Sequence, residues 1–297
     1  MKRFAGVIPA AVTPFSRTDG RVDHKRLHSH IQWLSEAGVD GMLVLGSTGE
    51  SATIDEDERR GVLETSREAL PDGRLFLVGV GAESTMRTIR QAKEAAACGA
   101  DAALVVTPSY YMRSDLDGLR GHYVAVADAS PIPVFLYNVP VYTQLQLPVA
   151  VALDLAHHPN IVGIKDSSGD LTQLYNLVSE SPVGWAVFTG SSGLAAACMS
   201  GGGAGAMTAC ANYAPELMVD VRIAVEMGDM EAAMSLQRMI VSLERVVGRY
   251  LIAGVKEACD LRGHPVTPVR PPLRPTPDQG RREIAAALRA AGLSIVL

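Results

Sequence analysis

Two hydrophobic periods alternate along the chain. Eight short runs, at residues 7–12, 41–45, 75–80, 102–107, 134–137, 161–165, 186–189 and 203–208, are dominated by Val, Ile, Leu, Ala and Gly. Runs of about 4 to 8 such residues bounded by turn chemistry read as strands buried on both faces, the condition of a parallel sheet. Between them, residues 23–37, 55–70, 84–98, 115–129 and 147–157 repeat apolar side chains at helical spacing. Alternating strand and helix predicts an α/β fold, and eight strands fit a (β/α)8 TIM barrel better than a doubly wound sheet. A dinucleotide-binding sheet would also carry G-x-G-x-x-G after its first strand. Gly79-Val80-Gly81 matches that only in part and reads as a strand-end turn.

Beyond the eighth run, residues 215–227, 229–249, 251–261 and 278–291 look helical. Pro265, Pro268, Pro271, Pro272, Pro275 and Pro277 mark an extended linker before the last helix. The pattern thus divides into a catalytic barrel over 1–228 and a C-terminal helical region over 229–297. No repeat with a period of about 20 to 50 residues is visible. Met1-Lys2-Arg3 followed by an apolar stretch mimics a short signal peptide, but Pro9 and Pro14 break it and a first barrel strand is the better reading. Nothing approaches the roughly 20 apolar residues that a membrane helix requires.

Composition narrows the class further. A hydrophobic fraction of 47% supplies a large core, and a net charge of -5 arises from interspersed signs. Without charged blocks, neither nucleic acid nor a membrane is an expected partner. Cys98, Cys198, Cys210 and Cys259 show no C-x-x-C spacing and read as reduced, mostly buried thiols of a cytoplasmic protein. Lysine is confined to Lys2, Lys25, Lys93, Lys165 and Lys256. Arginine cannot form an imine, so Schiff-base chemistry has few candidates.

Barrel enzymes keep their sites at the C-terminal tips of the strands. Lys165 ends the run Ile161-Val162-Gly163-Ile164 and precedes Asp166-Ser167-Ser168-Gly169-Asp170. Partial desolvation there would lower an amine from ~10.4 toward ~7 to 8 and free it to attack a carbonyl; the alternative is a lysine snorkelling to solvent. Gly46-Ser47-Thr48-Gly49-Glu50-Ser51 follows the second strand, and its hydroxyls and N–H groups suit a carboxylate, although such a sequence is also an ordinary turn. Tyr137-Asn138-Val139-Pro140 closes the fifth strand, with Tyr137 either a proton shuttle or an amphipathic core residue. Tyr110 and Tyr111 sit in a polar loop and read as exposed or interfacial. His24 and His28, with His30 nearby, share a helix expected to face solvent, and without H-E-x-x-H they predict no metal site. His157-His158 reads as a cationic helix end, and no G-x-S-x-G elbow points to a serine hydrolase.

As an ordered set, Gly46 to Ser51, Tyr137 to Pro140 and Gly163-Ile164-Lys165-Asp166 resemble the dihydrodipicolinate synthase and N-acetylneuraminate lyase superfamily of pyruvate-dependent Schiff-base aldolases, and the likeness covers essentially the whole chain. The resemblance implies a barrel with a C-terminal helical region, assembled as a homotetramer from tight dimers. It implies that Lys165 forms the imine with a 2-oxo acid and that Tyr137 passes protons through Thr48. Tyr110 would complete that relay from the neighbouring subunit. Ser47 and Thr48 would hold the substrate carboxylate, Gly190 and the backbone of Met207 would line the pocket, and Tyr142 and Ser167 would complete the substrate-binding set. The covalent imine is the electron sink, so no metal or other cofactor is expected.

Departures from the synthase pattern bear on the substrate. Synthases of the family carry an arginine where this chain has Tyr142, and a phenol cannot replace a guanidinium fork. Glu56, Arg59, Glu83 and Ser109 stand where lysine-regulated synthases tend to have His, His, Asn and Tyr. Residues 106–111, 130–134 and 158–170 look closer to 4-hydroxy-2-oxoglutarate aldolases, which typically carry a small polar residue at the Tyr142 position. The leading expectation is therefore a class I aldolase cleaving a compound like 4-hydroxy-2-oxoglutarate to pyruvate and glyoxylate. Alternatives are a dihydrodipicolinate synthase joining pyruvate to aspartate semialdehyde, a sugar-acid aldolase or dehydratase, and a non-catalytic 2-oxo-acid-binding barrel. The last has no need of an imine-forming amine.

Overall fold

Eight parallel strands run in sequence around a barrel with helices between them, in a computed structural model that describes residues 4–112 and 115–296. The chain proceeds through β1 (Gly6–Pro9), α1 (His24–Glu36), β2 (Gly41–Val44), α2 (Glu56–Ala69), β3 (Leu75–Gly79), α3 (Thr85–Ala97) and β4 (Ala102–Val106). It continues with α4 (Leu116–Ala129), β5 (Val134–Asn138), α5 (Pro140–Thr143), α6 (Val149–Leu155), β6 (Ile161–Asp166), α7 (Leu171–Glu180) and β7 (Ala186–Thr189). The remainder is α8 (Ala195–Ser200), β8 (Gly205–Thr208), α9 (Pro215–Glu226), α10 (Met230–Val247), α11 (Leu251–Leu261) and α12 (Asp278–Ala290). Strand β1 pairs with β8, and the ring closes where Ala10 bridges Leu43 and the Ala11 N–H donates to the Leu43 carbonyl at 2.8 Å. This is a (β/α)8 TIM barrel with a C-terminal helical part.

The two-residue period of a strand divides the apolar side chains between two cores. Ile8, Leu43, Leu77, Leu104, Phe135, Phe188 and Met207 fill the barrel interior. Val7, Met42, Val44, Phe76, Val105, Leu136 and Ile164 point outward into a second core shared with the helices, including Ile240 of α10, Cys259 of α11 and Leu288 of α12. Phe135 meets Phe4 and Phe188 edge-on, with ring centroids 5.1 and 6.0 Å away. Gly163 stands opposite Phe135, because a methyl group there would overlap the Phe135 ring and the Ala186 carbonyl.

Several boundaries differ from the hydrophobic pattern for identifiable reasons. Asp23, Ser84, Asp115 and Asp229 are helix caps, their side chains accepting first-turn N–H groups, so the helices begin one residue later. Strand β1 stops at Pro9, and further along the Val12 N–H turns to the Asn212 side chain at 3.0 Å. Strand β8 starts at Gly205, since the Gly203 N–H returns to the Cys198 carbonyl after α8. The Met1-Lys2-Arg3 start lies outside the described residues. Among the described residues no helix is long and apolar enough to cross a membrane. The four cysteines are unpaired, and burial pushes the Cys198 thiol up to about 11 and those of Cys210 and Cys259 well above their usual value.

One expectation about α1 is overturned. The helix buries Leu27, His30, Ile31 and Leu34, so its inner face belongs to the core and His30 does not face solvent. His24 is exposed and bonds Thr65 at 2.8 Å, while His30 Nε2 donates to Asn212 Oδ1 at 3.1 Å. Burial lowers the His30 imidazole to about 4, partly opposed by that hydrogen bond. Its neutral form favours the folded state, so this stability is complete above the unfolded value near 6.5 and is lost as pH falls toward 4. The loss amounts to about 3 kcal/mol at most. Melting temperatures measured from pH 7 to 4 should therefore fall less in His30→Gln than in the parent; parallel curves would remove His30 from the account.

Candidate active site

Strands β5 and β6 run in parallel with Tyr137 opposite Lys165 and Asn138 opposite Asp166. Alternation sends Tyr137 and Lys165 into the barrel mouth and Asn138 and Asp166 outward. Lys165 is 3% exposed and Tyr137 5% exposed. The Lys165 Nζ lies 4.4 Å from the centre of the Tyr137 ring. Among the described residues it has no hydrogen bond or ion pair, so no carboxylate holds it back from a ligand.

The segment after β2 supplies the opposite wall. Leu45 and Glu50, neither of them glycine, adopt left-handed backbone angles of φ 55° and 56° on either side of the turn. Such conformations cost about 1 to 3 kcal/mol each and persist where the surroundings impose them. The Glu50 N–H returns to the Ser47 carbonyl at 3.0 Å, whereas the N–H groups of Ser47 and Thr48 have no partner among the described residues. Two adjacent free donors form a small anion cradle. The Tyr137 hydroxyl reaches Ser47 Oγ at 3.5 Å, the outer limit of a hydrogen bond, and among the described residues it forms no hydrogen bond to the Thr48 hydroxyl.

The other expected residues are distributed around this pair. Gly190 follows β7 and donates its N–H to the Asp166 carbonyl at 2.6 Å. A methyl group at Gly190 would overlap the Ser167 hydroxyl and approach Lys165 Cε at 3.1 Å, which places Gly190 and Ser167 beside the amine. Met207 is fully buried in the interior on β8, opposite Ile8. Tyr142, on α5, is half-exposed; partial burial raises its phenol above the usual value, and the nearby Tyr137 phenol adds to the rise. Tyr110 is 74% exposed and packs edge-on against Tyr111 at 4.9 Å, so within one chain its ring projects to solvent. The Tyr110 N–H is fixed by Glu83 at 2.9 Å.

Two supporting features carry little signal in the hydrophobic pattern. Asp166 is buried and accepts from Asn138 at 2.6 Å, Gln173 at 2.9 Å and Ser168 at 2.6 Å, while Asn138 Oδ1 receives the Leu147 N–H at 2.9 Å. This network ties the loops after β5 and β6 together beneath Tyr137 and Lys165. The only hint is an acid directly after the strand-end lysine. The second feature is a buried pair between Glu50 and Lys256 at 2.6 Å. Among the described residues no three His, Cys, Asp or Glu side chains gather to hold a metal ion. Open grooves of about 530 Å³ along α10 and α12 and about 330 Å³ beside α1 contain none of the expected site residues.

A strand-tip amine beside a tyrosine and a pair of free N–H donors can bind a carboxylate and attack the adjoining carbonyl, which is the equipment of a class I lyase. Comparison with known proteins agrees with that class. A profile of the dihydrodipicolinate synthetase family matches residues 3–291, and the chain belongs to this family, whose members are class I pyruvate-dependent lyases and synthases. The 4-hydroxy-tetrahydrodipicolinate synthase of Acidiphilium cryptum is 35% identical over 291 residues, covering 98% of this chain and 99% of the relative. Among solved structures, a prophage protein of the dihydrodipicolinic acid synthase family from E. coli K12, in complex with pyruvate, superposes with a TM-score of 0.93 at 29% identity, covering 98% of this chain and 99% of the other. The chloride-inhibited dihydrodipicolinate synthase of Acinetobacter baumannii, complexed with pyruvate, gives a TM-score of 0.93 at 35% identity with the same coverage.

Proposed function

We propose that this enzyme joins pyruvate, held as an imine on Lys165, to an aldehyde, in the manner of a 4-hydroxy-tetrahydrodipicolinate synthase acting on aspartate semialdehyde. The observation that carries this reading is the register placing Tyr137 directly beside Lys165, opposite the N–H groups of Ser47 and Thr48, which have no partner among the described residues. Full-length relatives of that name support the choice of reaction. The carboxylate of pyruvate sits on the two N–H groups, and neutral Lys165 attacks the adjoining carbonyl carbon. Loss of water leaves a protonated imine, which drains charge from C3 as a proton departs. The resulting enamine attacks the aldehyde carbon and forms the new C–C bond, the aldehyde oxygen takes up a proton, and the iminium regenerated on Lys165 is released when water, or the amine of the semialdehyde, displaces the lysine. Tyr137 carries protons to and from these intermediates, with the Ser47 or Thr48 hydroxyl as the next station. The imine supplies the electron sink, so the reading needs no metal or cofactor. Borohydride treatment with pyruvate, followed by peptide mapping, tests it: an adduct on the Lys165 peptide is expected, and its absence would overturn the reading.

Tyr142 counts against the synthase reading and leaves a second one, cleavage of a 4-hydroxy-2-oxoglutarate-like substrate to pyruvate and glyoxylate, which the likeness of residues 106–111, 130–134 and 158–170 supports. Tyr142 places a half-exposed phenol near Tyr137 where a synthase would offer an arginine to an acidic aldehyde. A screen of aldehydes against the pyruvate-loaded enzyme separates the two. Tyr142→Arg should raise kcat/KM for aspartate semialdehyde by roughly 10- to 100-fold, the equivalent of about 1.5 to 3 kcal/mol of charged hydrogen bonding. An unchanged order of preference among aldehydes would put Tyr142 outside the site.

The exposed Tyr110 and Tyr111 rings support a site completed across a subunit interface, in a homotetramer built from tight dimers. Unpaired and mostly buried thiols support a cytoplasmic setting.

A further inference from the structure

Two lysines are buried among the described residues, and their partners assign them different work. Lys165 has no polar partner among the described residues, whereas Lys256 on α11 is paired with a carboxylate and a carbonyl. The side chains of Lys256 and Glu50 are both 0% exposed, with Nζ 2.6 Å from Glu50 Oε1. The same Nζ donates to the Pro268 carbonyl at 2.8 Å and lies 4.3 Å from the centre of the Phe15 ring. The second Glu50 oxygen accepts the backbone N–H of Arg270 at 2.9 Å, across 220 residues of sequence. The Arg270 guanidinium covers Phe15 at 4.2 Å, grips Glu58 with two bonds of 2.7 and 3.0 Å, and donates to the Thr53 and Gly20 carbonyls at 2.7 and 2.6 Å. The segment from Pro268 to Arg270 is thereby strapped across the foot of the Ser47–Glu50 turn.

That turn has a reason to need an external restraint. Glu50 occupies the left-handed region that an L-residue with a side chain resists, and its N–H closes the turn onto Ser47. The turn is closed internally by the Glu50 N–H on Ser47 and by the Ser51 N–H on the Gly46 carbonyl at 3.3 Å, and Thr13 holds the Gly49 carbonyl at 2.7 Å, but the N–H groups of Ser47 and Thr48 bond no described group, so their direction depends on how the Glu50 end of the turn is held. Buried ion pairs add little net stability, because desolvation offsets most of their attraction; their better-attested use is to impose one geometry. We infer that Lys256 and Arg270, from the C-terminal region, are positioning residues that hold Glu50 and so pre-align the Ser47 and Thr48 N–H groups for the carboxylate of the 2-oxo acid. This rests on the assignment of Lys165 and of the turn made above.

The test is borohydride trapping across a range of pyruvate concentrations, scored as adduct mass on the Lys165 peptide. In Lys256→Met/Glu50→Gln, which removes both buried charges together, the pyruvate concentration giving half-maximal trapping should rise at least about tenfold while the maximal adduct stays that of the parent. Arg270→Gln leaves the buried pair in place but loosens the strap, and should raise the same concentration roughly three- to tenfold. It also reads the effect should the double variant fail to fold. A lower melting temperature with unchanged half-saturation would mean that the strap serves stability alone and would overturn the inference. No adduct on Lys165 in the parent protein is a different result: it removes the imine assignment, and the inference with it.

Discussion

Lys165→Ala is expected to lower kcat by roughly 10⁴- to 10⁶-fold, the loss typical of a missing nucleophile whose partners remain in place. The fold should survive, because the amine leaves no hydrogen bond or ion pair behind among the described residues. The cavity would open beside Gly190 and Ser167. Turnover, melting temperature and mass after borohydride treatment should be measured on one preparation. Residual activity above about 1% with a native melting curve would show that another group carries the reaction.

Tyr137→Phe should leave imine formation possible but slow every proton transfer, lowering kcat by about 10²- to 10⁴-fold. The ring that faces the Lys165 amine is retained in this variant, so only the hydroxyl and its 3.5 Å contact to Ser47 are lost. Borohydride with pyruvate should still mark Lys165, at a reduced rate. A kcat within tenfold of the parent would end the proton-relay role. The companion variants Ser47→Ala and Thr48→Val then decide which hydroxyl follows the phenol, since the larger drop in kcat identifies the next station.

The barrel was legible because a strand buried on both faces must be apolar along its length. Residues 186–189 coincide with β7, and residues 251–261 with α11. Lys165 and Tyr137 were legible for the converse reason, as polar side chains closing apolar runs. His30 was not, although Leu27, Ile31 and Leu34 around it are spaced as a buried stripe. Its polarity outweighed its position, and the Asn212 side chain that satisfies it lies far along the chain. The same limit hides Lys256: a polar residue in an apolar helix reads as exposed until its partner on a distant loop is known. Whether Ser47 or Thr48 faces Tyr137 depends on side-chain rotamers, which no hydrophobic period encodes.

The order of strands around the ring also bears on how the chain is made. Strand β1 is made before the other seven strands of the barrel, yet its main pairing partner is β8, with Gly6 opposite Gly205. At about 5 to 20 residues per second, the intervening stretch of about 200 residues takes roughly 10 to 40 s to synthesise. Throughout that interval the backbone of Gly6–Pro9 has no sheet neighbour on its β8 side, and β7, once made, waits likewise. An unpaired apolar edge of this kind recruits other strands, including those of sibling chains on the same message. Slower elongation therefore lengthens the exposure without changing any native contact, and soluble yield should follow translation speed and chaperone supply more closely than it follows equilibrium stability.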